Sequence, residues 1–92
     1  MTIRDRIHAV LQQGPHSSLQ ISGEVGIPQA EVAGHLQHLE RSLRHRGQEL
    51  VVLPARCLAC RFVFEQRKRF ARPSRCPECR SERIEPPRFS VM

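Results

Sequence analysis

The hexapeptide RCPECR, residues 75–80, contains two cysteines in a C-x2-C pair. The hexapeptide RCLACR, residues 56–61, contains a second such pair, and fifteen residues lie between the two pairs. Two C-x2-C turns at this separation are typical of a tetrahedral site with four thiolate ligands. Since protein ligands would fill every coordination position, the pattern predicts one structural zinc ion. Its predicted ligands are Cys57, Cys60, Cys76 and Cys79.

Two other uses of four cysteines compete with a zinc site. A thioredoxin-like redox pair needs one C-x2-C near a βαβ pattern, which the sequence lacks. A mononuclear iron site of the rubredoxin type also uses two C-x2-C turns, so the spacing alone leaves iron open as an electron carrier's metal. The segment around the cysteines is strongly basic and contains no Tyr or Trp, which favours zinc in a nucleic-acid-associated ribbon.

Upstream of the cysteines, the sequence predicts three helices. Thr2 with Asp5, and Ser17 with Gln20, have the spacing of helix-starting capping boxes. Apolar residues then recur at helical spacing, and we expect Leu19 to be one of those in the second helix. Glycines should end the helices, at Gly14, Gly26 and Gly47.

The third predicted helix, about residues 28–46, is the best defined. Four of its apolar residues fall on one helical face: Val32, Leu36, Leu39 and Leu43. A short second helix, a tight Gly-Ile-Pro connection and this long helix have the form of a helix-turn-helix. On the opposite face, small residues would allow close approach to a DNA groove, glutamines could pair with base edges, and arginines could reach phosphates. These candidate DNA contacts are Gln29, Ala33, Gly34, Gln37, Arg41 and Arg44.

The net charge of +6 and pI near 10.5 point to a polyanionic partner. The charge is concentrated towards the C-terminus, since residues 1–46 have a balance of +1 and residues 47–92 a balance of +5. Some arginines could simply offset the 2− charge of a tetrathiolate zinc ion. The dense cluster between the cysteine pairs is nevertheless predicted to contact phosphate. It comprises Arg67, Lys68, Arg69, Arg72 and Arg75.

The composition favours a binding protein over an enzyme. Four phenylalanines are the only aromatic residues, which argues against an aromatic-walled substrate pocket, and no nucleophile or general base has an oriented partner in the sequence. No apolar run approaches the roughly 18 residues that span a bilayer, and the N-terminus lacks a signal-peptide core. We therefore expect a cytoplasmic protein without a membrane partner.

The texture of the sequence changes at QELVVLPA, residues 48–55, where a short apolar run closed by proline predicts a strand. Beyond it, the sequence predicts short extended segments between turns, at RFVF, RKRF and RIEPPRF. The prediction is an α+β protein with two parts. Residues 1–53 form a three-helix, helix-turn-helix DNA-binding domain, and residues 54–92 form a small β zinc ribbon.

This order of motifs resembles a prokaryotic family of predicted transcriptional regulators that fuse a winged helix-turn-helix to a C-terminal zinc ribbon. The resemblance is carried by EVAGHLQHLERSLRHRG, PARCLACRFVF and RPSRCPECRSERIEPPRF. It implies a cytoplasmic DNA-binding protein whose third helix enters the major groove and whose four cysteines bind zinc. A full wing needs a two-stranded hairpin, whereas only ELVVL precedes the first cysteine pair, so the ribbon is expected either to supply the missing strand or to replace the wing.

The expected partner is double-stranded DNA. An alternative is a protein-interaction adaptor whose ribbon docks on a larger complex, and a protein partner of the ribbon stays open in either case. Many helix-turn-helix proteins pair to read two half-sites, which also leaves a homodimer open.

Overall fold

The structure is a computed structural model that describes residues 2–65, 70 and 72–92. Within these residues the chain forms three helices and five short strands, arranged as a helical unit and a ribbon. The helices are α1 (Ile3–Gln12), α2 (Ser18–Val25) and α3 (Gln29–His45). The strands are β1 (His16–Ser17), β2 (Leu50–Leu53), β3 (Arg56–Cys57), β4 (Ile84–Glu85) and β5 (Arg88–Val91).

Both predicted capping boxes are confirmed. The Asp5 peptide N–H donates to Thr2 Oγ1 at 3.1 Å, and the Thr2 peptide N–H donates back to the Asp5 carboxylate. The Gln20 peptide N–H donates to Ser17 Oγ at 3.3 Å, and the Ser17 N–H donates to the Gln20 side chain. Each box satisfies two of the peptide donors that a helix N-terminus leaves unpaired, which explains where α1 and α2 begin.

Helix α3 has the predicted buried stripe. It begins after Pro28 and ends at His45, and the following Gly47 has φ 70°, a left-handed conformation that glycine adopts without steric cost. The next peptide N–H, that of Gln48, donates to the Leu43 carbonyl at 2.9 Å and closes the end of the helix. All four residues of the predicted stripe are buried: Val32, Leu36, Leu39 and Leu43.

Three strands far apart in the sequence form one antiparallel sheet. Its order is β1-β5-β2, with β5 in the centre. Phe89 of β5 lies opposite both His16 of β1 and Val52 of β2. Residues 54–87, which include the cysteines, therefore lie between two adjacent strands of the same sheet, β2 and β5. Residues 88–91, at the C-terminal end of the predicted ribbon segment 54–92, form strand β5, which packs alongside the helices.

The described residues form two separate apolar cores. The larger one packs the three helices against the sheet and includes Phe89, which is fully buried. Phe70 packs against this same core, with its ring centroid 5.9 Å from that of Phe89. The smaller core lies in the ribbon and consists of Ala55, Cys57, Cys76 and Ile84, with Phe62 and Phe64 partly buried against it.

Leu19 corrects one expectation about α2. Its side chain is 65% exposed, whereas the buried residues of α2 are Ile21 and Val25. Those two residues are four positions apart and share a face, and Leu19 lies about 200° around the helix from Ile21 at 100° per residue. The expected α+β class, with three helices followed by a small β part, is confirmed. No helix in the described part of the chain is long and apolar enough to cross a membrane.

Candidate metal centre

Two turns with the same hydrogen-bond pattern hold the four cysteines. In each turn the peptide N–H of the first cysteine donates to the carbonyl five residues later, and its own carbonyl accepts from the N–H four residues later. These bonds measure 2.8–2.9 Å and join Cys57 to Phe62 and Arg61, and Cys76 to Ser81 and Arg80. Each C-x2-C pair is thus folded back on itself, which brings its two sulfurs to one side of the turn.

The two turns face each other and bring the four sulfurs into one cluster. All four Sγ atoms lie within 4.8 Å of one another. Across the turns, the sulfurs of Cys57 and Cys79 are 3.5 Å apart, as are those of Cys60 and Cys76. A tetrahedron of sulfurs about 2.3 Å from a zinc ion has edges of about 3.8 Å. The spacing therefore fits a single tetrahedral ion.

Burial differs within each pair. The first cysteine, Cys57 or Cys76, is fully buried and belongs to the ribbon core, whereas Cys60 and Cys79 are exposed. All four are free thiols. Thiolates are ligands that zinc prefers, and four of them leave no position for a water molecule. The four cysteines form a structural zinc site, as the sequence predicts, and the bound ion would cross-link the two turns.

Peptide N–H groups and the neighbouring sulfurs set the acidity of the thiols. The Cys60 peptide N–H, donating to the Cys57 sulfur, is the largest of the influences that lower the pKa of Cys57 to about 6. The Phe62 peptide N–H favours the Cys60 thiolate, but desolvation and the three other sulfurs outweigh it and raise the pKa of Cys60 to about 12. The pKa of Cys79 is also raised, since desolvation and the sulfurs of Cys57 and Cys76 outweigh the Ser81 N–H. Cys57 thus ionises easily, whereas Cys60 and Cys79 hold their protons until a cation arrives.

The ribbon supports the site with few contacts. Strand β3 pairs with β4, and the Arg56 guanidinium bonds the Glu85 carboxylate at 2.8 Å across this pair. The rings of Phe62 and Phe64 pack edge to face with centroids 5.0 Å apart. So small a core cannot hold two turns in place by apolar burial alone, which makes the metal a main source of folding free energy for the ribbon.

The predicted DNA contacts on α3 lie together, away from the core. Gln37, Arg41 and Arg44 are exposed, Gly34 is exposed, and Ala33 is half-buried. Gln29 is exposed, but its Nε2 donates to Ser18 Oγ at 3.2 Å, so it joins the start of α3 to the start of α2. Reaching a base would require Gln29 to give up that hydrogen bond.

The basic cluster between the cysteine pairs is only partly described. Arg72 and Arg75 are exposed. The predicted contacts Arg67, Lys68 and Arg69 lie outside the described residues.

Two arginines beside the metal centre have a backbone conformation that the sequence did not predict. Arg61 and Arg80 have φ angles of 68° and 63°. The left-handed conformation costs a residue with a Cβ about 1–2 kcal/mol. In the sequence, each follows the second cysteine of its pair, and that repeated Cys-x2-Cys-Arg pattern was the available signal.

Comparisons with known proteins cover both parts of the chain. Residues 2–51 match the family described as "PF0610-like, N-terminal", and residues 54–92 match the "PF0610 rubredoxin-like zinc beta-ribbon domain". The solution NMR structure of protein PF0610 from Pyrococcus furiosus is similar, with 32% sequence identity and a TM-score of 0.80. The alignment covers 98% of this chain and 88% of that one. No curated protein matches the chain. With both halves matched and a zinc ribbon of the described geometry, the chain belongs to the PF0610-like family, in which that N-terminal domain is followed by a rubredoxin-like zinc ribbon.

Proposed function

We propose that the protein binds double-stranded DNA as a transcriptional regulator, with α3 as the recognition helix of a winged helix-turn-helix. The observation that carries this proposal is the division of α3 into two faces. Its apolar stripe is fully used in the core, while the opposite face is exposed and combines small residues, a glutamine and two arginines. Such a face suits the major groove, because small residues permit close approach and arginine and glutamine recognise phosphates and base edges.

The connection between α2 and α3 supports this proposal, since a helix-turn-helix must present its second helix rigidly. Gly26 caps α2 in a left-handed conformation, with its N–H bonded to the Ser22 carbonyl at 2.9 Å. The Ile27 N–H donates to the same carbonyl, and the Ser22 hydroxyl donates to the Ile27 carbonyl. The Gln29 bond to Ser18 adds a further tie between the two helices.

The three-stranded sheet also supports a winged arrangement. Strands β2 and β5 pair antiparallel after α3, and β1 lies between α1 and α2 in the sequence and completes the sheet. Strand β5 is thus the second strand that the segment before the cysteines could not provide. The ribbon emerges from this pair of strands, so the zinc ion would fix its basic surface relative to α3.

In this proposal the residues divide by role. Ala33, Gly34 and Gln37 face bases, with Gln29 joining them after releasing Ser18. Arg41 and Arg44 hold phosphates, as do Arg72 and Arg75 of the ribbon together with Arg67, Lys68 and Arg69. The function is binding rather than catalysis, and free thiols around a structural metal fit a reducing, cytoplasmic setting.

The test is the affinity for duplex DNA as a function of salt. Wild-type protein should bind genomic fragments in a fluorescence anisotropy assay, with affinity falling steeply between about 50 mM and 200 mM salt. Arg41→Ala should weaken binding by roughly tenfold near 0.1 M salt and reduce the slope of log K against log salt by about 0.9, because one phosphate contact is lost. The free energy of unfolding should change by less than about 0.5 kcal/mol, since Arg41 is exposed.

The matched control is Arg4→Ala. Arg4 is an exposed arginine on α1, so this variant removes the same charge from another surface. It should bind DNA nearly as the wild type does. Absence of duplex binding at about 50 mM salt, or binding that salt does not weaken, would contradict the proposed function.

A second candidate function, a protein-interaction adaptor, is favoured by two apolar side chains on the ribbon. Leu58 is 52% exposed and Val63 is 41% exposed. Under this alternative, Leu58→Ser would abolish capture of a defined cellular protein while the wild type showed no salt-dependent DNA binding.

A further inference from the structure

Backbone conformation separates Arg61 and Arg80 from every other left-handed residue in the described chain. Five described residues have φ between 63° and 141°. The three in the helical unit are all glycine, at positions 14, 26 and 47, whereas the two in the ribbon are both arginine. Glycine adopts this conformation without strain and arginine does not. The sequence thus uses glycine where only a turn is needed, and uses arginine at both equivalent positions beside the metal.

The turn itself requires the conformation but not the side chain. Both residues act through the backbone, each donating its N–H to the carbonyl of the first cysteine at 2.9 Å. A glycine could make the same hydrogen bond. Because glycine would make the turn without strain, the strained arginine indicates a role for its side chain.

Both arginine side chains are exposed to solvent. Neither guanidinium makes an ion pair or hydrogen bond with another described residue, in contrast to Arg56, which is paired with Glu85. Each arginine directly follows an exposed cysteine, Cys60 or Cys79, and those two sulfurs lie within 4.8 Å of each other. Each arginine side chain therefore starts beside an exposed ligand of the metal centre, and the sulfurs of those two ligands are neighbours.

Charge indicates the kind of partner. Residues 54–87 carry a balance of +5, so the ribbon stays basic after the 2− charge of a tetrathiolate zinc site is included. A guanidinium is planar and binds phosphate oxygens through two parallel hydrogen bonds, which a lysine cannot do. Two arginines at equivalent positions suit a ligand that repeats, such as a nucleic-acid backbone.

We propose that Arg61 and Arg80, here called the arginine pair, grip backbone phosphates of the same DNA duplex that α3 reads. This gives the ribbon a DNA contact separate from the basic cluster between the cysteine pairs. The inference rests on the proposed function, because it takes duplex DNA as the ligand. The zinc ion contributes by holding the two turns, and hence the two arginines, at a fixed separation.

Glycine substitution provides a sharp test, because it removes the side chains and relieves the backbone. The doubly substituted protein, Arg61→Gly with Arg80→Gly, should bind one zinc ion and unfold at a temperature no lower than the wild type. Its affinity for duplex DNA should nevertheless fall by roughly sixtyfold near 0.1 M salt, with a salt slope smaller by about 1.8, the effect of two lost phosphate contacts. Replacing both arginines by lysine should restore the salt slope but not the full affinity.

The control for net charge is Arg4→Ala with Arg6→Ala, which removes two exposed arginines from α1 and should leave affinity nearly unchanged. Wild-type affinity and slope in the zinc-loaded glycine variant would overturn the proposal. So would loss of zinc with no change in DNA binding, because the arginines would then only offset the thiolate charge.

The outcomes also separate this inference from the proposed function. If Arg41→Ala weakens DNA binding and the glycine variant does not, the DNA-binding role of α3 is supported and the phosphate contacts of the arginine pair are ruled out. If the glycine variant weakens binding and Arg41→Ala does not, the phosphate contacts of the arginine pair are supported and the DNA-binding role of α3 is ruled out. If the wild type binds no duplex DNA at low salt, both are wrong.

Discussion

Cys57 and Cys60 are three residues apart yet hold their protons very differently. The pKa of Cys57 is lowered to about 6 by peptide N–H donors, chiefly that of Cys60, while the pKa of Cys60 is raised to about 12 by desolvation and neighbouring sulfurs, against the Phe62 N–H. A first thiolate is therefore present at neutral pH, before any metal binds. It provides a ready initial ligand, and the protons of Cys60 and Cys79 leave only when a divalent cation replaces them.

Zinc affinity should consequently fall as the pH falls. At neutral pH, Cys57 is already ionised, whereas Cys60 and Cys79, whose pKa values are raised, must each lose a proton for zinc to bind. Lowering the pH adds competing protons, and below about pH 6 Cys57 takes one as well. We expect the logarithm of the zinc association constant to rise by about two or more per pH unit near neutrality. Competition with a chromophoric chelator at several pH values measures this slope.

The chelator alone, titrated with zinc at each pH, is the control for its own proton uptake. Calorimetry in two buffers of different ionisation enthalpy counts the released protons independently. A zinc affinity that does not change with pH would show that the thiols are already ionised in the free protein.

At the scale of single residues, the sequence predicts ligands well and conformations poorly. Four cysteines at fixed spacing identify the site because zinc chemistry demands those side chains. The left-handed backbone of Arg61 and Arg80 has no signature in an arginine, since glycine is the residue that normally marks it. Leu19 misleads for a similar reason: residue type suggests burial, but its place on α2 decides exposure.

Among the secondary-structure elements, strand β5 links the C-terminal residues to the stability of the helical unit. It lies after the cysteines, at the C-terminal end of residues 54–92, yet forms the centre of the sheet, between β1 and β2. The side chain of Phe89 in β5 packs into the helical core and has no exposed surface. The C-terminal residues are therefore part of what stabilises the three helices.

Phe89→Ala should destabilise the helical unit by about 3–5 kcal/mol, the usual cost of emptying a buried phenylalanine site. Urea unfolding followed by the helical circular dichroism signal measures this change. Arg88→Ala is the matched control, because Arg88 precedes Phe89 on the same strand and is exposed, and it should change stability by less than about 0.5 kcal/mol. Loss of order confined to the ribbon in Phe89→Ala would contradict the assignment of β5 to the helical core.

Elements were predictable where a local signal exists. Capping boxes and a four-residue apolar stripe identify the helices, and a β-branched run closed by proline identifies β2. Strand β1 has two residues and no period to detect, and its partner β5 lies some 70 residues away in the sequence. Long-range pairing of this kind depends on the packing of the whole chain, so the sequence alone does not show that β5 pairs with β1 and β2 beside the helices.

At the scale of the whole molecule, the two cores depend on the metal to different degrees. Among the residues that the structure describes, the helical core contains ten buried residues and the ribbon core four, two of which are zinc ligands. Phe70 and Phe89 pack with the helices, which leaves the ribbon with still less apolar area than its sequence suggests. The ribbon should therefore need zinc to fold, while the helical unit keeps a core of its own.

Removal of zinc with a chelator should unfold the ribbon and leave the helices folded but less stable. Residues 54–87 would become a flexible loop of 34 residues between β2 and β5, and closing such a loop costs about 3 kcal/mol. Amide NMR signals of β3 and β4 should collapse while those of α1 and α3 persist, with a lowered unfolding temperature. Cys76→Ser should give the same result with zinc present, and Ser74→Ala, an exposed change nearby, should not. Loss of the helices together with the metal would show instead that the molecule has one cooperative core, organised by zinc through the strands that flank the ribbon.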